Sequence, residues 1–374
     1  MFCKRRTYRG ERGQLFMVFA LLIPILGGMA GMAVDLGGWA SDRRALQNAA
    51  DSMALAAAQE LPDAAKAQTI GATWATKNGI DPTQFTISVT GGDVSPKVTV
   101  TVNRSHNFAF LRMLGVNSGN VGARAAAVKV SVGGNSGVVP WAVTSDTVNV
   151  ALGGNNVSPV ITLKYDATGA NTGNFGAIRI DGSGASTYEA DAKYGSNSYV
   201  CAVTAPSCVA GACPGHYPDI CAETAPQCDG PICNPETGNM TNPTQRAVDF
   251  RMNNTISSCN EFGEAFPTTD PDTGVYQLSQ ACNPWVNGAG YCATATSPCS
   301  RRVIIIPIVD DFGNGQSTVT FQRFALVWLE GYTGNCTGND CEILGRFVRA
   351  DVTMNALAGT YDPGAQIHFV KLSE

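Results

Sequence analysis

An uncharged N-terminal segment limits the folds that this chain can adopt. From Gly13 to Val34 there is no charged residue, and about 20 apolar residues are enough to cross the hydrocarbon layer of a membrane as a helix. Residues 1–12 contain one acid, Glu11, and the basic residues Lys4, Arg5, Arg6, Arg9 and Arg12. Because basic flanks resist translocation, we expect a cytoplasmic N-terminus (1–12) and a transmembrane helix over 13–40, with residues 13–34 in the lipid bilayer.

A cleaved signal peptide is the alternative interpretation of this segment, since small residues near Ala33 would suit a peptidase. The apolar run exceeds the usual signal-peptide core of about 7 to 15 residues, which favours a retained anchor. Within the run, Pro24 predicts a kink. Gly27 and Gly31 form a GxxxG pair that would let another helix approach closely, although small residues are also common in spans without such a contact.

Residues 41–61 predict that the helix continues beyond the membrane as an alanine-rich stalk. Ser41 can cap its first turn, and Pro62 ends it. Apolar side chains recur at three- and four-residue steps and form a stripe, called here the stalk stripe, of Leu46, Ala49, Ala50, Met53, Ala57 and Leu61. Such a stripe suits close packing, either against a helix of another subunit or against the chain's own domain.

The N-terminal part of the chain resembles a known family. Residues 10–58, GERGQLFMVFALLIPILGGMAGMAVDLGGWASDRRALQNAADSMALAAA, are similar to the N-terminal module of TadG-like proteins of the Tad (Flp, tight adherence) pilus-assembly system. The matching features are a glycine and basic residues before the span, the sequence Val34-Asp35-Leu36-Gly37 at its end, and the block LQNAAD at 46–51 followed by an alanine run.

The resemblance implies a single-pass protein of the inner (cytoplasmic) membrane whose bulk is extracytoplasmic. Its implied partners are other Tad/Flp subunits, namely TadE-like pseudopilins and the secretion machinery, and no catalysis is implied. Pilins and pseudopilins of this system carry a glutamate five residues after the processed glycine, whereas the fifth residue after Gly13 is Val18. This difference argues against prepilin-type processing and favours a retained anchor.

Residues 41–132 are expected to combine the stalk with a small α+β module. A helix is predicted over DAAKAQTIGATWATKNG (63–79), and strands over QFTISVT and KVTVTVNR. HNFAFLRMLGV (106–116) predicts a short helix and NVGARAAAVKVSV a third strand. This module is expected to pack against the stalk, and GGNSG (133–137) is a plausible hinge to the larger C-terminal domain.

Residues 138–374 predict a β-rich, sandwich-like extracytoplasmic domain, so that the chain as a whole is α+β. The predicted strands are VVPWAVTS, PVITLKYD, FGAIRID, RRVIIIPIVDD, STVTFQRFALVWL and ILGRFVRADVTM. VPWAV, NFGAIRIDG, RVIIIPIVD and FALVWLEGY also resemble, more loosely, the extracytoplasmic region of some TadG-like proteins.

Cysteine usage indicates an oxidising compartment. Cys3 precedes the span, and the other twelve cysteines lie between Cys201 and Cys341, which allows as many as six disulfides. CAVTAPSCVAGAC (201–213) returns as CAETAPQCDGPIC (221–233) and predicts a Cys-rich insertion over 201–299 held by bridges. Zinc is the alternative, although no CxxC pair occurs and His216 is the only histidine nearby.

No catalytic motif is present, and we expect no enzyme, cofactor or metal site. His106, His216 and His368 are far apart and each lacks a motif. The nearest string to a metal-dependent adhesion motif, DxSxS, runs from Asp181 to Ser186, with Ala185 in place of the second serine. Residues 270–274 (DPDTG) faintly resemble a calcium loop without its later ligands.

These observations favour a non-enzymatic, membrane-anchored accessory or assembly subunit of the Tad/Flp pilus machinery. The net charge of -5 offers no basic surface for nucleic acid, and no small-molecule substrate is indicated. The alternative is a surface adhesin or glycan-binding module on the same anchor, for which Trp285, Tyr291 and Tyr217 are candidate aromatics. A secreted hydrolase has little support.

Overall fold

The chain folds into two units, one formed around a long helix and the other around a central β-sheet. The computed structural model describes residues 12–152, 158–164, 176–198, 200–203, 228–229, 232–236, 238–253, 259–269, 275–285, 299–312, 317–334, 336, 341–352, 356–363, 365 and 367–373. The first unit comprises Met1–Thr90, Lys97–Val128 and Leu372–Glu374, and the second comprises Gly91–Pro96 and Lys129–Lys371. The α+β class is confirmed: a long apolar helix is followed by mixed helices and β-sheets.

A single helix, α1 (Arg12–Gln59), contains both the apolar segment and the stalk. Large apolar side chains are exposed along it from Phe16 to Leu36, and its apolar window has a mean hydropathy of 2.2. A helix of this length and composition suits a membrane anchor. Ser41 lies inside the uninterrupted helix, so the predicted cap at Ser41 is wrong. The chain leaves the helix at a turn before Pro62, as expected.

The rest of the first unit forms around the stalk part of α1. Helix α2 (Ala64–Lys77) begins at Asp63, whose side chain accepts from the Lys66 N–H, and it packs on α1 together with strand β2. Strands β1 (Phe85–Thr90), β2 (Lys97–Asn107) and the start of β3 (Ser118–Asn135) form an antiparallel sheet. The expected packing of this module on the stalk is thereby confirmed.

Two predicted elements of this region take a different form. In place of the helix predicted over 106–116, the chain forms only a 3-10 turn at Leu111–Leu114. His106 and Asn107 cannot join a helix because they pair with Gly119 and Ser118 in the sheet. The predicted hinge at 133–137 is wrong in its first part: residues 133–135 end β3, and the boundary between the units falls between Val128 and Lys129.

The second unit is built around one central sheet. Its helices are α3 (Ser145–Leu152), α4 (Ala185–Tyr194), α5 (Thr241–Asn253) and α6 (Phe262–Ala265). Its other strands are β4 (Val143–Thr144), β5 (Val160–Lys164), β6 (Val200–Cys201), β7 (Cys228–Asp229), β8 (Ile232–Cys233), β9 (Thr268–Thr269), β10 (Tyr276–Gln277), β11 (Val303–Val309), β12 (Val319–Tyr332), β13 (Ile343–Val348), β14 (Ala350–Asp351), β15 (Leu357–Ala358) and β16 (Ile367–Leu372). The central sheet has the order β4-β11-β12-β13-β5.

Both faces of this central sheet are buried, which explains the continuous apolar run VIIIPIV in β11. Ile304, Ile306 and Ile308 share one cluster with residues of α4 and α5. Val303, Ile305 and Val309 share the other cluster with residues of β6, β14 and β16. Other strands therefore cover one face of the central sheet, as the sandwich-like prediction expects, whereas helices cover the other face.

Disulfides stabilise the second unit. Cys259 is bonded to Cys282 and Cys336 to Cys341, and Cys201, Cys233 and Cys299 are also disulfide-bonded. These bonds confirm the disulfide interpretation for the cysteines named, in preference to zinc. Most of the repeat at 201–233 and Cys3 lie outside the described residues.

Candidate functional site

The lone acid at the end of the apolar run, Asp35, holds a loop of the same unit against α1. Its Oδ1 accepts from the Ala109 N–H at 2.8 Å, and its Oδ2 accepts from the N–H groups of Phe110 at 2.9 Å and Leu111 at 2.6 Å. Asp35 is 3% exposed. Three backbone donors satisfy a carboxylate that would otherwise be costly to bury. The segment that it holds, residues 108–116 (FAFLRMLGV), is called here the apolar loop.

Two glycines of α1 make room for this contact. A Cβ at Gly31 would lie 2.6 Å from the Phe110 ring, and one at Gly38 would lie 3.2 Å from the His106 ring. At Gly27 a Cβ would meet nothing within 4 Å. Gly31 therefore serves a contact inside the chain, which accounts for this half of the GxxxG pair without a second helix.

The apolar loop and α1 enclose an apolar groove of about 360 Å³. The groove is lined by α1 residues between Pro24 and Met32 and by loop residues between Phe110 and Leu114. Phe110, Met113 and Leu114 remain exposed. A continuous apolar surface thus extends from the helix onto the loop.

Polar side chains follow within two turns of helix α1. Asp42 accepts from His106 Nδ1 at 2.7 Å and pairs with Arg104 at 3.3 Å. Trp39 donates to the Asn120 carbonyl at 3.4 Å, and Arg43 lies over its ring. Tryptophan and basic side chains are typical of a membrane–water interface, so the boundary between apolar and polar surface falls between Asp35 and Asp42.

The stalk stripe is buried inside the first unit. Leu46, Ala49, Ala50, Met53, Ala57 and Leu61 are all buried, in a unit where α1 packs against α2 and β2. The prediction that this stripe contacts another subunit is therefore wrong, and the alternative, packing on the chain's own domain, is confirmed. Most of what α1 leaves exposed here is polar, including Arg44 and Asn48, and Ala45 is also exposed.

The string from Asp181 to Ser186 has a structural role. Asp181 accepts from the N–H groups of Asn197 at 2.6 Å and Ser198 at 2.8 Å. Burial, reinforced by the nearby Asp181 charge, raises the pKa of Asp191 to about 8, and Asp191 accepts from the Asp181 N–H. Within the described residues no group of three or more His, Cys, Asp or Glu side chains could hold a metal ion.

The histidines do not meet in a common site. His106 belongs to the Asp42 cluster. His368 lies 2.9 Å from the Asp362 carbonyl through Nε2, and burial lowers its pKa to about 4, so it is a neutral core residue at pH 7. His216 and the string at 270–274 lie outside the described residues.

Of the three aromatics considered for an adhesin, only Trp285 is described. Trp285 is buried, in one cluster with Cys259 and Cys282. Because it is buried, its ring is not presented to a ligand, and the expectation that Trp285 is exposed is wrong. Tyr217 and Tyr291 lie outside the described residues.

Comparison with known proteins assigns the segment that contains these contacts. Residues 13–60 match the Tad family model, which describes Flp pilus-assembly TadE/G-like proteins. The N-terminal segment is therefore similar to TadE/G-like proteins, which links the chain to the Tad/Flp pilus system. No curated protein and no solved structure matches the chain.

The matched segment coincides with α1 from its exposed apolar part to the end of the stalk. The sequence patterns predict this helix but not the apolar loop that contacts it. Two signals were present: an isolated acid closing an apolar run, and the second apolar string FAFLRML at 108–114. The sequence does not show that Asp35 binds the second string, which lies more than 70 positions further along the chain.

Proposed function

We propose that the protein is a non-enzymatic, single-pass component of the Tad/Flp pilus-assembly machinery. In this proposal α1 anchors the chain in the inner membrane, residues 1–12 are cytoplasmic, and both folded units are extracytoplasmic. Its partners are other Tad/Flp subunits, such as TadE-like pseudopilins and the secretion machinery.

The observation that carries the proposal is the overlap of three features in α1. The TadE/G-like match covers residues 13–60, the exposed apolar side chains cover residues 16–36, and the buried stripe covers residues 46–61. One helix thus contains the family signature, the surface for lipid and the scaffold of the first unit. Disulfides in the second unit support export, because such bonds persist in oxidising compartments.

With the stripe buried, a partner that contacts the stalk would have to use its exposed polar side. Arg44 and Asn48 lie on that side, one helical turn apart. Glutamate at both positions changes the surface charge without disturbing the core, so it separates partner contact from folding.

The test is complementation of a strain from which the gene has been deleted. The deletion should abolish pilus display, and the wild-type gene should restore it. The double variant Arg44→Glu/Asn48→Glu should reach normal membrane levels yet fail to restore pili. Thr69→Glu/Thr73→Glu, on the exposed side of α2 and outside the family match, is the matched control and should restore them.

Normal pili in the deletion strain would refute the assembly role. If that strain made pili but failed to attach to surfaces, the adhesin alternative would replace it. Full rescue by the Arg44→Glu/Asn48→Glu variant would leave the assembly role intact but exclude this side of the stalk as the contact.

A further inference from the structure

The apolar loop carries more exposed hydrophobic surface than a water-exposed turn needs. Phe110 is 45% exposed, Met113 85%, Leu114 74% and Val116 47%. Four such side chains within seven residues form a contiguous patch, and patches of this kind mark surfaces that are covered in the working protein. We propose that the apolar loop is a second membrane anchor, inserted into the outer leaflet of the bilayer beside α1. This proposal rests on the proposed anchoring of α1.

The backbone of the loop is arranged for a dry environment. The N–H groups of Ala109, Phe110 and Leu111 donate to Asp35. Phe108 donates to the carbonyl of Asn117, just after the loop, and within the loop Met113 donates to Phe110, Gly115 to Arg112 and Val116 to Leu111. A surface loop in water would not need these partners, whereas irregular backbone in hydrocarbon must satisfy its polar groups within the protein.

The depth of the loop along α1 fits the outer leaflet. The loop is hydrogen-bonded to Asp35, and the groove between the loop and α1 extends back to Pro24. The distance from Pro24 to the end of the uncharged run at Val34 is about 15 Å along a helix, or half of a hydrocarbon layer about 30 Å thick. The cytoplasmic half of the span lies on the other side of Pro24, so the loop accompanies only the half that faces outward.

The polar groups around the loop lie where such an insertion requires them. Arg112 is exposed on the loop and is long enough to extend its guanidinium to the headgroups while its stem stays in apolar surroundings. Trp39, Asp42 and Arg104 follow on the outward side of Asp35. The headgroup layer therefore coincides with this polar belt, and hydrocarbon coincides with the patch.

A transmembrane helix of a partner is the other occupant that an apolar surface could accept. Lipid is favoured because the patch is continuous with the exposed helix surface that lipid must already cover, from Phe16 to Leu36. Within the GxxxG pair, Gly31 already has the Phe110 ring against it, so the two glycines cannot both lie against a second helix.

The experiment measures the depth of single probes in a bilayer. The full-length protein is reconstituted in nanodiscs of phosphatidylethanolamine and phosphatidylglycerol, with a fluorescent amino acid introduced by codon suppression at Met113. Brominated acyl chains should quench this probe, and aqueous iodide should not. The same probe at Thr73, exposed on α2, is the control that iodide alone should quench, and Phe19 is the reference within the span.

The outcomes are distinct. Quenching at Met113 by iodide rather than by lipid, with Phe19 still quenched by lipid, would overturn the loop insertion while the anchor stands. Protection of Met113 from both quenchers would show that protein covers the patch, which also overturns it. Loss of lipid quenching at Phe19 would refute the membrane anchor itself, and the position of the loop with it.

Discussion

The two ends of α1 are both apolar, yet the structure places them in opposite surroundings. From Phe16 to Leu36 the large side chains Phe, Leu, Ile and Met point outward and are exposed. From Leu46 to Ala58 most of the apolar side chains are alanines and are buried. The two parts differ in side-chain volume as well as in hydrophobicity: bulky groups suit lipid, whereas alanine lets α2 and β2 approach the helix axis closely.

The change occurs over a short stretch that contains Asp35 and Gly38. Asp35 holds the apolar loop by three backbone hydrogen bonds, and Gly38 leaves space for His106. These residues therefore mark the point where α1 stops exposing large apolar side chains and becomes buried in its own unit.

A charge in the buried part should have the strongest effect. In Ala50→Glu a carboxylate would occupy a fully buried position without a partner, which costs about 3 to 5 kcal/mol. We expect the first unit to unfold and the membrane level of the protein to fall, as measured by immunoblot and limited proteolysis. Asn48→Glu, two residues away and exposed, should leave both unchanged. A normal level of intact Ala50→Glu protein would show that the two parts of α1 are not in different surroundings.

Removing the Asp35 charge should release the apolar loop without unfolding the unit. Asparagine has one acceptor oxygen, so Asp35→Asn cannot satisfy all three donors, and hydrogen bonds to charged groups contribute about 1.5 to 3 kcal/mol. Hydrogen exchange of the Ala109, Phe110 and Leu111 amides should accelerate at least about tenfold. Asp51→Asn is the control, because Asp51 accepts from Gln47 and does not contact the loop. Equal acceleration in both variants would contradict this role for Asp35.

The two glycines of the GxxxG pair should differ in their tolerance of a larger residue. Gly31→Leu places a Cβ against the Phe110 ring, whereas Gly27→Leu meets open space. Because Phe110 is only half-buried and can move, we expect Gly31→Leu to cost about 1 to 3 kcal/mol, again read from amide exchange in the loop. If the pair served a helix dimer, both variants would weaken self-association in detergent equally.

The polar belt should make the smallest contribution. Asp42 is about one-third exposed in its pairs with Arg104 and His106, and such surface pairs contribute about 0 to 1 kcal/mol. Asp42→Asn should lower the thermal midpoint of the first unit only slightly, and added salt should reduce the difference. If Asp42→Asn destabilised the first unit as much as Asp35→Asn does, the boundary between exposed apolar surface and the folded unit would lie nearer to Asp42.

Much of the first unit, and the disulfide-bonded region of the second, could be predicted from local sequence. The uncharged run and the three- and four-residue spacing identified α1, the alternation of Val98, Val100 and Val102 identified β2, and cysteine spacing identified the disulfide-bonded region. The surroundings of the stalk stripe could not be predicted, because an alanine stripe suits an internal and an external helix contact equally.

The apolar loop was missed for a related reason. Its sequence has a helical composition, and only pairing with residues 118–119 shows that His106 and Asn107 belong to a strand. Its partner, Asp35, lies on another element. Local patterns specify what each segment can form, whereas contacts between distant segments decide which possibility is realised.

The retention of α1 in the membrane is the premise for both parts of this helix. Carbonate-washed membranes should keep the protein, an intact-mass measurement should place its N-terminus at or near Met1, and protease added from the periplasmic side should remove the mass of the second unit. A protein released by carbonate, with a mature N-terminus near Ala33, would show that the apolar segment is a cleaved signal and would contradict this account.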